Sequence, residues 1–146
     1  MINEKLSVAG ELQIVLRDKN GNVKVNKTEK NLVVSTGKAF IAKRMVGTAS
    51  VVMSHMAVGN TNTAPIAGHT ALMNEIGRAA IVSSDVVDNT VTYSCLFAAG
   101  VGTGALTEAG IFNGDTGGEM LSRVVFSEVN KDIEDTLTVN WQITLN

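Results

Sequence analysis

Residues 136–145 alternate without a break: Leu137, Val139, Trp141, Ile143 and Leu145 fall on one face, and Thr136, Thr138, Asn140, Gln142 and Thr144 on the other. Side chains on a strand point alternately to opposite faces, so this run reads as a half-buried β-strand. The same texture recurs upstream. Residues 90–97 set Val91, Tyr93, Cys95 and Phe97 against Thr92, Ser94 and Leu96, while 106–112 and 120–126 are short extended runs parted by Asn113-Gly114-Asp115-Thr116-Gly117-Gly118. Near the start, Leu12, Ile14 and Leu16 share a face and then meet Asp18-Lys19-Asn20-Gly21. Asn-Gly favours the positive φ of tight hairpins, so Val23 and Val25 are expected to return antiparallel.

Residues 31–34, 51–59 and 78–83 read as further strands, with a turn at 85–89 and a glycine-rich break at 100–104. One helix interrupts the series. Ser35 or Thr36 can cap it, Phe40, Ile41, Ala42 and Met45 give it apolar contacts, and Gly47 follows as a stop, so it is expected to close one end of the core. Residues 71–75 are expected to form a single turn. About eight or nine antiparallel strands with frequent turns and one short helix are the signature of an all-β sandwich or barrel, and of the two a β-sandwich, of the jelly-roll kind, is expected. Only 4% of residues are aromatic, so Val, Ala, Leu, Ile and Met are expected to fill the interior, which suits a thin sandwich of small β-branched side chains.

At 146 residues the chain matches one domain, expected over 11–146 behind a polar N-terminal arm, 1–10. The formal charge of −2 gives no electrostatic reason to expect nucleic-acid binding. No apolar stretch approaches the roughly 20 residues of a membrane-spanning helix. Met1-Ile2-Asn3-Glu4-Lys5 lacks the layout of a signal peptide and Cys95 has no partner for an internal disulfide, so synthesis in a reducing cytoplasm is expected.

The chemical motifs dissolve on inspection. Gly100-Val101-Gly102-Thr103-Gly104-Ala105 matches a relaxed dinucleotide fingerprint, but a strand, not a helix, is expected after it. Gly37-Lys38 lacks the upstream glycine and the following Ser or Thr of a phosphate-binding loop, and reads as the first turn of the helix. Asp18, Asn20 and Asn22 read as a hairpin turn, because Gly21 stands at the wrong place for a calcium loop and no glutamate closes it. His55, His69 and Cys95 make too sparse a set for a metal or a nucleophile–base pair, and Cys95 reads as a small core residue. No catalytic residue, cofactor or metal is expected, and the chain is expected not to be an enzyme.

Glu75, Arg78, Glu108 and Arg123 stand among apolar or small neighbours in or beside strands. A charge with little water around it needs a partner, so Glu108 is expected to pair with Arg78 or Arg123, across the sheet or across a subunit boundary. The longest loop, 60–69, holds the only proline; Asn60, Pro65 and His69 in it are candidate interface residues, with 100–104 as a second candidate segment.

These residues also carry a resemblance. Asn31-Leu32-Val33-Val34 with Thr36-Gly37-Lys38, Met56-Ala57-Val58-Gly59-Asn60-Thr61, Thr70-Ala71-Leu72 with Glu75 and Arg78, Leu106-Thr107-Glu108-Ala109-Gly110-Ile111-Phe112-Asn113, Gly118 with Met120-Leu121-Ser122-Arg123, and Asn130-Lys131 form a series. Together they resemble a pattern in virion structural proteins of tailed bacteriophages. The resemblance implies a capsid decoration, or cement, protein that binds the outer head surface and stabilises the shell, with the major capsid protein as partner. The Leu-Thr-Glu-Ala-Gly-Ile-Phe segment is similar to one in tail-collar and tail-fibre proteins, so the alternative is a tail, collar or fibre-attachment protein with tail or collar partners. Either reading implies a virion component made in the host bacterial cytoplasm and a homo-oligomer, trimer or dimer.

Overall fold

The computed structural model describes residues 4–48 and 50–146. Eight strands and one helix follow in the order β1 (Val8–Arg17), β2 (Val23–Val33), α1 (Ser35–Met45), β3 (His55–Gly59), β4 (Glu75–Val87), β5 (Thr90–Phe97), β6 (Gly104–Phe112), β7 (Met120–Lys131) and β8 (Thr136–Leu145). All neighbouring strands are antiparallel, and they close in the order β1-β2-β7-β6-β3-β4-β5-β8, with β8 returning to β1. The fold is therefore all-β with one short helix, but it is a closed barrel where a sandwich or jelly-roll was expected. Alternation along a strand is identical in both architectures; only the pairing partners distinguish them.

The interior is filled by side chains, as an eight-stranded barrel allows. Leu12, Ile14, Phe97, Leu106, Ile111, Val139 and Trp141 all belong to one buried cluster, with Trp141 fully enclosed. Cys95 is buried there too, as a core residue, and burial pushes its thiol up to about 12.

Closure is narrowest between β2 and β7, which pair only through Leu32↔Arg123 and Val33↔Ser122. Below that seam the two strands part, and the Lys27 ammonium crosses to the Ser127 carbonyl at 2.5 Å while lying 5.1 Å from the centre of the Phe126 ring. β2 nevertheless runs unbroken through the polar Asn26-Lys27-Thr28-Glu29-Lys30-Asn31, where two separate short pieces were expected. Its regularity comes from the β1 hairpin register, Gly10↔Asn31 to Leu16↔Val25, and not from an apolar face.

The β1–β2 turn is built as the sequence implies. Asp18 Oδ1 accepts from the backbone N–H groups of Asn20 (2.9 Å) and Asn22 (3.0 Å), which holds its carboxyl below the usual range, and Gly21 takes φ +84°. The 100–104 segment leads directly into β6, so no helix follows its glycines. Instead Gly102 packs against Gly77, where an added Cβ would sit 2.6 Å from the Gly102 backbone.

Other boundaries shift. The second half of the expected 85–89 turn alone bends, at Asp88 with φ +52°, so β4 continues through Asp85 to Val87. No helical turn forms at 71–75. Of the expected arm, Val8–Gly10 already belongs to β1, and Ser7 exchanges two backbone hydrogen bonds of 2.8 Å with Asn146. Residues 1–3 lie outside the described residues.

Helix α1 starts without a side-chain cap, its N-cap position being Val34. Ser35 gives its N–H to the Ala67 carbonyl at 2.8 Å, and the Thr36 hydroxyl donates to the Met120 carbonyl at 2.8 Å, so both expected caps serve tertiary contacts. Gly37 lies against the Leu121 backbone with no room for a Cβ, Phe40 enters the main core, and Gly47 at φ +69° follows the last turn. The helix thus covers one end of the barrel.

Candidate functional site: a strap clamped to the outer wall

β3 and β4 are adjacent antiparallel strands, yet residues 60–74 join them. A tight hairpin needs two to five residues, so this connection has length to spare. It lies along the outer wall as a strap, reaching the start of α1 through the Ala67–Ser35 hydrogen bond.

The wall beneath the strap carries charge. On β6, Ala109 and Ile111 point into the main core, while Glu108 and Phe112 alternate outwards and are nonetheless buried, because the strap covers them. Glu108 Oε1 accepts from Arg123 Nε of β7 at 3.1 Å, and both side chains are fully shielded from water. The same carboxylate also accepts the backbone N–H of Met73 at 3.0 Å on Oε1 and that of Asn74 at 2.9 Å on Oε2. Arg123 spends its other nitrogens on the strap as well: Nη2 donates to the Thr63 carbonyl at 2.9 Å, and Nη1 to His69 Nδ1 at 3.1 Å. A buried ion pair is tolerable only when its remaining donors and acceptors are met, and here strap groups meet them.

Asn60 and Thr61 pin the strap's first residues. The Asn60 side-chain amide donates to the Ala105 carbonyl, and Thr61 and Thr107 exchange hydrogen bonds of 2.7 and 2.8 Å. Two strand glycines admit the strap. At Gly59 an added Cβ would stand 2.2 Å from the Asn74 carbonyl, and at Gly110 it would meet Leu72 at 2.9 Å. Leu72, Val34, Ala57, Phe112 and Met120 form a second small apolar cluster under the strap.

Arg78 takes no part in this clamp. It binds Glu75 at 2.6 Å, donates to the carbonyls of Gly114 (2.8 Å) and Gly117 (2.9 Å), and lies 4.0 Å from the Phe112 ring centre. It therefore holds the β6–β7 turn. Beside it, Glu119 accepts from Ser50 (2.5 Å), Lys43 (2.9 Å) and Asn113 (3.1 Å), and these donors, Ser50 first, draw its carboxyl down to about 2.

The structure joins the sequence-chosen residues unequally. Glu108, Arg123, Asn60 and His69 meet at the strap, the expected Glu108 pairing falls on Arg123 within one chain, and Arg78 makes a separate clamp. Pro65 sits half-buried at the strap's turn. Gly59, Thr107 and Gly110 were missed; the available signal was glycine inside a strand, which marks close approach by another backbone. His69 lies on the outer wall and Cys95 inside it, so they do not share a site.

The Glu108–Arg123 pair thus fastens a loop to the wall of an antiparallel barrel. The family model of the phage tail-collar fibre protein N-terminal domain matches residues 25–144, and the chain belongs to that family. Neither the curated proteins nor the solved structures hold a match. The chain is thus a phage structural protein and a virion component. The family supports the tail, collar or fibre placement, and nothing found supports the capsid decoration that the sequence resemblance put first.

Proposed function

We propose that this domain is a non-enzymatic tail module, acting at the collar or in fibre attachment, that binds other tail proteins as a homo-oligomer. The observation that carries the reading is the family match over 25–144, which takes in the strap and all strands from β3 to β7. The geometry is consistent with it: the strap is held at fixed points while Ile66 at its turn is exposed, so a preorganised loop is presented to a partner. Chemistry has no part in this reading; stability and shape do.

Immunogold labelling of intact virions with an antibody against the chain tests the placement. Label confined to the tail or neck, at about three to eighteen copies as closed ring symmetries allow, is expected. Label spread over the head in hundreds of copies overturns it.

A further inference from the structure

We propose that copies of this chain join head to tail, the β7–β8 turn of one copy entering an apolar crevice beside α1 of the next. The two surfaces lie at opposite ends of the barrel, since β8 leaves the turn at Thr136 and reaches the crevice at Leu145. A strand of that length sets them about 30 Å apart, so no chain can join its own two ends.

The crevice arises where the core runs out. Val91 and Tyr93 stand opposite Ile143 and Trp141 in the β5–β8 register and so share the inward face, yet they are only half-buried, whereas Ile143 and Trp141 are buried. Ile41 and Met45 of α1, with Val91, Tyr93, Ile143 and Leu145, line a crevice of about 330 Å³, and Met45 is 80% exposed. A second apolar crevice lies across Ile41 and Met45, against Leu6 and Val8. Arg44 lines the first and Lys38 the second, and among the described residues no carboxylate lines either. A continuous exposed apolar patch of this kind marks a surface for a partner.

The opposite end supplies the complement. Asp132-Ile133-Glu134-Asp135 is a tight turn: the Asp135 N–H donates to the Asp132 carbonyl (3.1 Å), the Asp132 N–H to the Asp135 carboxylate (2.9 Å), and the Gly100 N–H to the Ile133 carbonyl (2.8 Å). These bonds hold Ile133 out in water, 69% exposed, between the exposed side chains of Asp132 and Glu134. Around the turn four carboxylates stand against two lysines, Lys19 and Lys24. An apolar tip among carboxylates matches an apolar crevice beside two cations. Pairing two crevices about a two-fold axis would instead set Arg44 and Lys38 against their own copies. The contact is therefore heterologous, and it builds a ring where the rotation closes and a column where it does not.

This contact rests on the homo-oligomer reading above and gives it an interface. Sedimentation velocity of the whole protein over a range of concentrations tests it with Ile133→Asp and Met45→Glu, both at exposed positions, so each variant is expected to keep the native circular dichroism. The native chain is expected to assemble. Each variant alone is expected to lose about thirtyfold or more in affinity, as for a central apolar anchor. Mixed, the two are expected to form a two-chain complex and stop there, because Ile133→Asp keeps its crevice and Met45→Glu keeps its turn. A native monomer overturns the homo-oligomer reading and the contact together. An oligomer that both variants preserve, a defect in only one of the two, or a mixture that stays monomeric overturns the contact alone.

Discussion

Two arginines fasten two loops to the same barrel wall, and water separates them. Arg123 and Glu108 are both 0% exposed, whereas Arg78 and Glu75 are 10% and 37% exposed. Each arginine binds one carboxylate and donates to loop carbonyls, Thr63 in the first case and Gly114 and Gly117 in the second. Their chemistry is alike and their consequences differ. A dry pair cannot exchange a lost partner for water, so it tolerates no single change; a wet pair can. The dry clamp therefore fixes where the strap lies, and the wet clamp trims a turn that its glycines already shape.

The sharpest break of this comparison is Arg123→Met, which leaves the Glu108 carboxylate alone in a dry site. A loss of about 3–5 kcal/mol in urea unfolding is expected. A double-mutant cycle of Glu108 with Arg123 is expected to give coupling of about 1–3 kcal/mol, and one with Arg78 close to zero, because Arg78 has other partners. Equal coupling for both arginines would merge the two clamps into one network.

Arg78→Met comes next. The loss of two carbonyl contacts, the Glu75 pair and the stacking on Phe112 is expected to cost about 1–2 kcal/mol. A cost as large as that of Arg123→Met would show that exposure does not separate the clamps.

The smallest effect belongs to Glu119, which ties the turn beside Arg78. Its carboxyl is held at about 2 against 4.5 for the free group, so its contribution is present above pH 4.5 and is lost as pH falls from there through 2. In acid unfolding, the stability gap between the native chain and Glu119→Gln is expected to narrow across that window. A constant gap would remove Glu119 from the wet side's account.

The strands were legible where one face is apolar. Residues 90–97 and 136–145 each carry the alternation of a half-buried strand, and each is a strand in the structure; 106–112 is a strand as well, but buried on both faces because the strap covers its outer one. β2 was not legible across 26–31, since its middle is fixed by pairing with β1 and its inner face looks into an open seam. The helix was readable from Phe40 and Gly47, and its start to within two residues, but the expected side-chain cap was not formed, because Ser35 and Thr36 bond to Ala67 and Met120, distant in sequence. Of the site, charges among apolar neighbours marked Glu108 and Arg123. The choice of partner was not marked, because Arg78 stands in the same kind of sequence and differs only in what packs over it.

By itself the sequence determined that this chain forms β-strands with one apolar face, since alternation is a local property of the backbone; the core they enclose holds Trp141 and Phe97 as well as aliphatic side chains. Tertiary structure alone decided that the strands close into a barrel, and that residues 60–74 fold back over an outer face whose charges then lose their water. Both depend on which segments meet across long stretches of chain, and the free energy of a buried charge is set by those neighbours and not by its place in the sequence.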